Sequence, residues 1–125
     1  MKSKGNKDVF IREAVRQDHR AIIDFQQRMA LETENLELDP DTLQKGVAAV
    51  FGNPALGRYF VAESNGKIIA SMMTTWEWSD WRNATVWWLQ SVFVIPEYRG
   101  TGVFNKMYRH VKSLAMKQEN VSGIR

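Results

Sequence analysis

The chain contains no cysteine. That excludes disulfides, thiolate zinc sites and a cysteine nucleophile, and it accords with a cytoplasmic location, which is the expectation. Histidine is scarce too: His19 and His110 stand far apart with no carboxylate pattern around them, so no metal site is expected. No apolar run approaches the ~18–20 uncharged residues of a membrane span, and the basic start of the chain lacks the apolar core of a signal peptide. No membrane partner is therefore expected, and residues 1–8 read as a solvated, frayed start. No repeat, low-complexity segment or interdomain linker breaks the 125 residues, which suit one domain.

What is present is ordinary for a globular chain: 44% hydrophobic and 25% charged residues. A net charge of +3 suits an anionic ligand such as a nucleotide cofactor but is too small to argue for nucleic acid. The basic residues are also dispersed rather than interleaved with aromatics, so no nucleic-acid partner is expected.

Periodicity gives the order of elements. Val9, Phe10, Ile11 and Arg12 predict a first strand. Asp18 stands as a helix N-cap before Ile22, Ile23, Phe25, Met29 and Ala30, and this helix frays near Glu34 and Asn35. Asp39 and Pro40 mark a second start, with Leu43, Val47, Val50 and Phe51 as its apolar side. The period then shortens. Residues 58–63 read as a strand, 64–67 as a hairpin turn around Asn65 and Gly66, and 67–75 as the returning strand. A polar, tryptophan-rich connection over 76–84 leads to a long strand over 85–94, which Pro96 ends. Helical spacing returns from Gly102 with Val103, Phe104, Met107, Tyr108, Val111, Leu114 and Ala115, and a last strand opens at Val121. The order β-α-α-β-β-β-α-β predicts a layered α/β fold: a mixed, mostly antiparallel sheet with flanking helices.

One segment carries chemistry. From Gln90 to Asn105 a strand ends, a loop rich in glycine and flanked by arginine follows, and an amphipathic helix begins at once. The first amides of a helix lack internal acceptors and sit at the positive end of its dipole, which makes an anion site. Gly100 and Gly102 let the backbone approach a phosphate, and Arg99 adds a fixed charge nearby.

The run Val92, Val94, Pro96, Tyr98, Arg99, Gly100, Gly102 resembles the acetyl-CoA motif of the Gcn5-related N-acetyltransferases, Gln/Arg-x-x-Gly-x-Gly/Ala. The match places the arginine on Arg99, the middle glycine on Gly102 and the final small residue on Phe104. Phenylalanine departs from the pattern there, so its side chain is expected to point into the core. The resemblance covers nearly the whole chain and implies an acyl-CoA N-acyltransferase-like fold. It implies that Val92 and Val94 hydrogen-bond the pantetheine arm and that the amides of Arg99, Gly100, Thr101, Gly102, Val103, Phe104 and Asn105 hold the pyrophosphate. It also implies that the amide near Val92 faces the thioester oxygen.

Acetyl transfer needs a neutral amine, hence a base. Glu77 is the favoured candidate, with Asp80, Gln90 and Ser91 beside it in the reading. Trp76, Trp78 and Trp81, with Glu77 and Asp80, are candidates for walling an acceptor pocket that attracts a cationic amine; the alternative is core packing. The family's leaving-group tyrosine lies after the fifth strand, and neither Tyr98 nor Tyr108 takes that role. The expected activity is acetyl transfer from acetyl-CoA to a primary amine of a small molecule or peptide. The alternative is a truncated acetyl-CoA-binding module without activity. Family members continue past the fifth strand, so the chain reads as C-terminally incomplete, as completed by a partner (a homodimer is one form), or as a minimal version.

Overall fold

The computed structural model describes residues 8–125; the basic start over residues 1–7 lies outside them. The chain forms β1 (Val9–Glu13), α1 (His19–Glu34), α2 (Pro40–Gly52), β2 (Arg58–Ser64), β3 (Lys67–Ser79), β4 (Ala84–Val94), α3 (Val103–Met116) and β5 (Val121–Ile124). Short 3-10 turns at Arg16–Asp18 and Pro96–Tyr98 lead into α1 and towards α3. The strands lie in the order β1-β2-β3-β4-β5. The first four pair antiparallel, and β4 with β5 is parallel. This is the mixed α/β sheet that the periodicity predicts.

Alternation along β2 sets the layers. Tyr59 packs against Phe51 of α2 at 5.6 Å, while the next residue, Phe60, meets His110 of α3 at 5.9 Å. Helices α2 and α3 therefore cover opposite faces. Phe93 follows Ser71 and Val61 across the sheet in register, on the Tyr59 side, and stacks on Phe25 of α1 at 5.1 Å. So α1 joins α2 on one face, and α3 lies on the other. Phe60, Val61 and Ala62 are fully buried, as residues of a strand covered on both faces must be. Truncating Phe60 would cost about 3–5 kcal/mol.

Two local expectations are corrected. Residues 76–79 are strand rather than connection: β3 runs on to Ser79, and residues 80–83 turn the chain into β4. The aromatic and β-branched run from Thr74 to Trp78 favours extended backbone, and Trp76 packs edge-on against Trp87 across the ladder at 6.3 Å. Asp18 sits at the N-cap position of α1 but makes no side-chain cap. Its carboxylate turns back instead, accepting from the Val15 amide at 2.8 Å and from Arg12 at 2.8 and 3.1 Å. Burial pushes this carboxyl up, and the bonds from Arg12 and Val15 more than offset it, leaving it below the usual range.

Candidate active site

Strand β4 is irregular where the sequence motif begins. Between the pairs Ser71 with Phe93 and Met73 with Gln90, β4 holds one residue more than β3. Ser91 takes a φ of 53°, so the extra residue is accommodated as a bulge that bends the strand. On its other edge, β4 pairs with β5 over Thr85–Trp87, and the last bond is the Leu89 amide donating to the Arg125 carbonyl at 2.9 Å. Past Leu89, that edge of β4 has no strand partner among the described residues. The open edge and the bulge meet at Val92.

The turn Pro96–Tyr98 carries the chain from β4 towards α3. Tyr98 is buried, and its hydroxyl donates to Ser64 Oγ at 3.1 Å, which pins the turn to β2. The Arg99 amide donates to the Pro96 carbonyl and the Thr101 amide to that of Tyr98, so these two amides are satisfied internally. The amides of Gly100, Gly102, Val103, Phe104 and Asn105 have no acceptor among the described residues. Gly102 is the N-cap of α3, with φ of 89° and no side chain to cap it. That left-handed conformation suits glycine and aims the first-turn amides outward. Of the seven amides named in that expectation, those of Arg99 and Thr101 are bonded within the loop and five are open.

Three side chains lie elsewhere than expected. Phe104 does not enter the core: it is 46% exposed and packs along the surface against Tyr108, one turn on, at 6.4 Å. The inward face of α3 is already filled by Val103, Met107 and Val111, and position 104 falls beside it. Arg99 is not a free charge at the loop. Its guanidinium binds Glu32 at the end of α1 at 2.9 and 3.3 Å, and its Nε donates to the Val94 carbonyl at 2.8 Å. That bond occupies the Val94 carbonyl on the open edge.

Glu77 is the third. It pairs with Val86, six residues before Val92, or roughly 20 Å along the strand. At that distance Glu77 is outside hydrogen-bond reach of the bulge and the open edge, directly or through one water. Its carboxylate instead accepts from the Trp88 indole at 3.3 Å. The tryptophans do not form one wall. Trp76 and Trp78 project on the α3 side of the sheet, Glu77 and Trp88 on the other, and Trp81 is 94% exposed in the turn with Asp80 beside it.

The polar pair next to the bulge on the α1 side is Gln90 with Thr75, where Gln90 Nε2 donates to Thr75 Oγ1 at 2.5 Å. Neither the bulge nor this pair had a clear sequence signal beyond the position of Gln90 just before the motif. A groove of about 280 Å³ lies between α3 and β5, lined by Tyr108, Lys112, Ala115, Met116 and residues 121–124. None of the open amides belongs to it. Among the described residues no group of three or more His, Asp or Glu side chains could hold a metal, and no helix is long and apolar enough to cross a membrane.

The sequence model of the acetyltransferase (GNAT) family matches residues 13–124, nearly the whole chain. The fold is similar to the crystal structure of a possible acetyltransferase from Clostridium difficile 630, with 43% identity over 95% of this chain and 78% of that one, and a TM-score of 0.86. A predicted acetyltransferase of Clostridium acetobutylicum, solved with acetyl-CoA, superposes with a TM-score of 0.75 at 18% identity, over 94% of this chain and 79% of that one. An aminoglycoside acetyltransferase from an uncultured soil metagenomic sample, in complex with sisomicin, gives 0.72 at 14% identity, over 96% and 77% of the two chains. Among curated proteins no sequence match was found. The open edge, the bulge and the uncapped helix start thus occur in a chain that belongs to the acetyltransferase (GNAT) family and is an acyl-CoA N-acyltransferase.

Proposed function

We propose that this chain transfers the acetyl group of acetyl-CoA to a primary amine of a small molecule or peptide. One observation carries the reading: five unpaired amides, at Gly100 and from Gly102 to Asn105, converge at the start of α3. They are suited to a pyrophosphate, with the helix dipole adding to their pull. The pantetheine arm then runs back along the open edge of β4 as an added strand, hydrogen-bonding at Val92. The thioester reaches the bulge, where the Val92 amide stabilises the charge that develops on its oxygen as the amine attacks.

The acceptor approaches from the α1 side of the sheet. There Gln90, its Nε2 engaged by Thr75, turns its carbonyl oxygen to an incoming amine N–H and orients the lone pair. Glutamine cannot take up the proton, so the amine sheds it to water as the C–N bond forms. The C–S bond then breaks, the amide is released, and the departing CoA thiolate takes a proton from water. The rate then follows the neutral fraction of the acceptor and rises with pH towards the amine's own pKa, ~10.4 for a lysine-like amine.

The test is a calorimetric titration with acetyl-CoA, beside Gly102→Glu, which places bulk and negative charge among the amides. The wild-type chain is expected to bind, and the variant to lose at least about a hundredfold in affinity, some 2.7 kcal/mol. Equal binding by both would remove the site. CoA release stimulated by some member of an amine panel would establish turnover. Binding without turnover across the panel would mark a cofactor-binding module instead.

A further inference from the structure

The motif arginine invites assignment as a phosphate ligand, but its surroundings argue otherwise. The Arg99 guanidinium donates twice from Nη2 to the Glu32 carboxylate, once from Nε to the Val94 carbonyl, and lies over the Phe93 ring at 5.2 Å. Phe93 is itself stacked on Phe25 of α1 and covered by Arg28 at 5.1 Å. Each of the Arg99 contacts runs from the loop to α1 or to the end of β4. Two of the guanidinium's nitrogens and one ring face are therefore committed to protein.

We propose that Arg99 is a positioning residue that holds the pyrophosphate loop ready, and that the phosphates are met by backbone amides without it. Arg99 ties the loop to α1 through Glu32 and to β4 through the Val94 carbonyl. It thereby fixes the distance between the bulge at Ser91 and the N-cap at Gly102, the span that the pantetheine and pyrophosphate have to match. By taking the Val94 carbonyl it also removes one acceptor from the open edge. The loop contains Gly100 and Gly102, both at positive φ, and without the tie it would have to be ordered when the ligand arrives. This rests on the reading of the loop as the acyl-CoA site.

The two roles predict opposite signs for one substitution. Glu32 is half-exposed on a helix surface, so Glu32→Gln leaves the fold in place. If Arg99 were a phosphate ligand restrained by Glu32, releasing it would tighten acetyl-CoA. As a positioning residue it makes Glu32→Gln weaken acetyl-CoA, by about threefold to fivefold for an ion pair this exposed. Arg99→Gln weakens it by at least as much, since the Val94 contact goes too, and the double variant weakens it no further than Arg99→Gln alone, because the Glu32 tie is already lost there. The experiment is calorimetric titration of the four proteins with acetyl-CoA, at two salt concentrations, with melting temperatures measured in parallel. Expected are non-additive losses and the same salt dependence for wild type and Arg99→Gln, since no phosphate contact is removed. Tighter or unchanged binding by Glu32→Gln overturns the proposal, as does a weaker salt dependence in Arg99→Gln. Loss of affinity that merely tracks loss of melting temperature overturns it too. Failure of the wild-type chain to bind acetyl-CoA removes the site itself, and this role with it.

Discussion

At the start of α2, Asp39 turns its carboxylate onto the Thr42 amide and hydroxyl, at 2.9 and 2.7 Å; at the start of α3, Gly102 has no side chain to offer. Both helices are amphipathic, and Pro40 opens the first while Pro96 lies in the turn before the second. One spends its first-turn donors on itself, with Pro40 removing a further amide that would need an acceptor. The other leaves the four amides of Gly102 to Asn105 outward and relies on packing by Val103, Met107 and Val111 to stay helical. A closed helix start contributes stability, and an open one contributes a binding site. First-turn amides can serve either end, and the residue at the N-cap decides which.

Closing α3 is the strongest way to break this contrast. Gly102→Asp supplies an acceptor inside the protein, and its negative charge competes with the pyrophosphate, so acetyl-CoA affinity falls by about tenfold or more. Calorimetry beside Gly102→Glu reads it, and a variant that bound as the wild type would dissolve the distinction. Opening α2 is the converse. Asp39→Ala lowers the melting temperature by roughly 3–6 °C, as loss of a helix cap does in a domain of this size, and leaves acetyl-CoA affinity unchanged. Thermal melts and titrations of the same sample separate the two effects.

The smallest expected effect is in acid. Hydrogen bonds from the Thr42 hydroxyl and then its amide hold the Asp39 carboxyl below its ordinary value. A lowered carboxyl contributes stability that is present above its unfolded pKa and is lost as pH falls through the folded one. Amide exchange in the first turn of α2 should therefore accelerate below about pH 3.8 relative to that of α3, which has no titrating cap. Parallel acceleration in both would show that the whole fold is loosening instead.

The frame of this molecule was legible because each element announces itself locally. Asp39 and Pro40 mark a helix start, Asn65 and Gly66 a hairpin, and Arg99 to Gly102 a strand-to-helix loop that a family motif also matches. What escaped depends on partners distant in sequence. The bulge at Ser91 is a mismatch between two strands, and no single strand reveals it. Arg99 is drawn off the loop by Glu32, 67 residues earlier in the chain. Glu77 has the right chemistry for a base, but only the register of β3 on β4 shows that it lies opposite Val86. The run from Trp76 to Trp78 reads as a connection because the end of the strand is open to solvent, with Glu77 exposed and Trp78 60% exposed, and such a segment imitates a loop. Phe104 shows the limit of a motif used as a template: the backbone followed the family pattern, and the side chain went to the surface.

The parallel pairing of β4 with β5 has a consequence for the order of assembly. Strands β2, β3 and β4 are joined by turns of 2 and 4 residues (65–66 and 80–83), so their pairing closes early and locally. Strand β5 can dock only after α3 has carried the chain back across the sheet, and residues 99–105 lie inside that crossover. A ligand held there grips the part of the molecule that forms last. Bound at that loop, acetyl-CoA would slow unfolding of the native state and leave the rate of its formation almost unchanged.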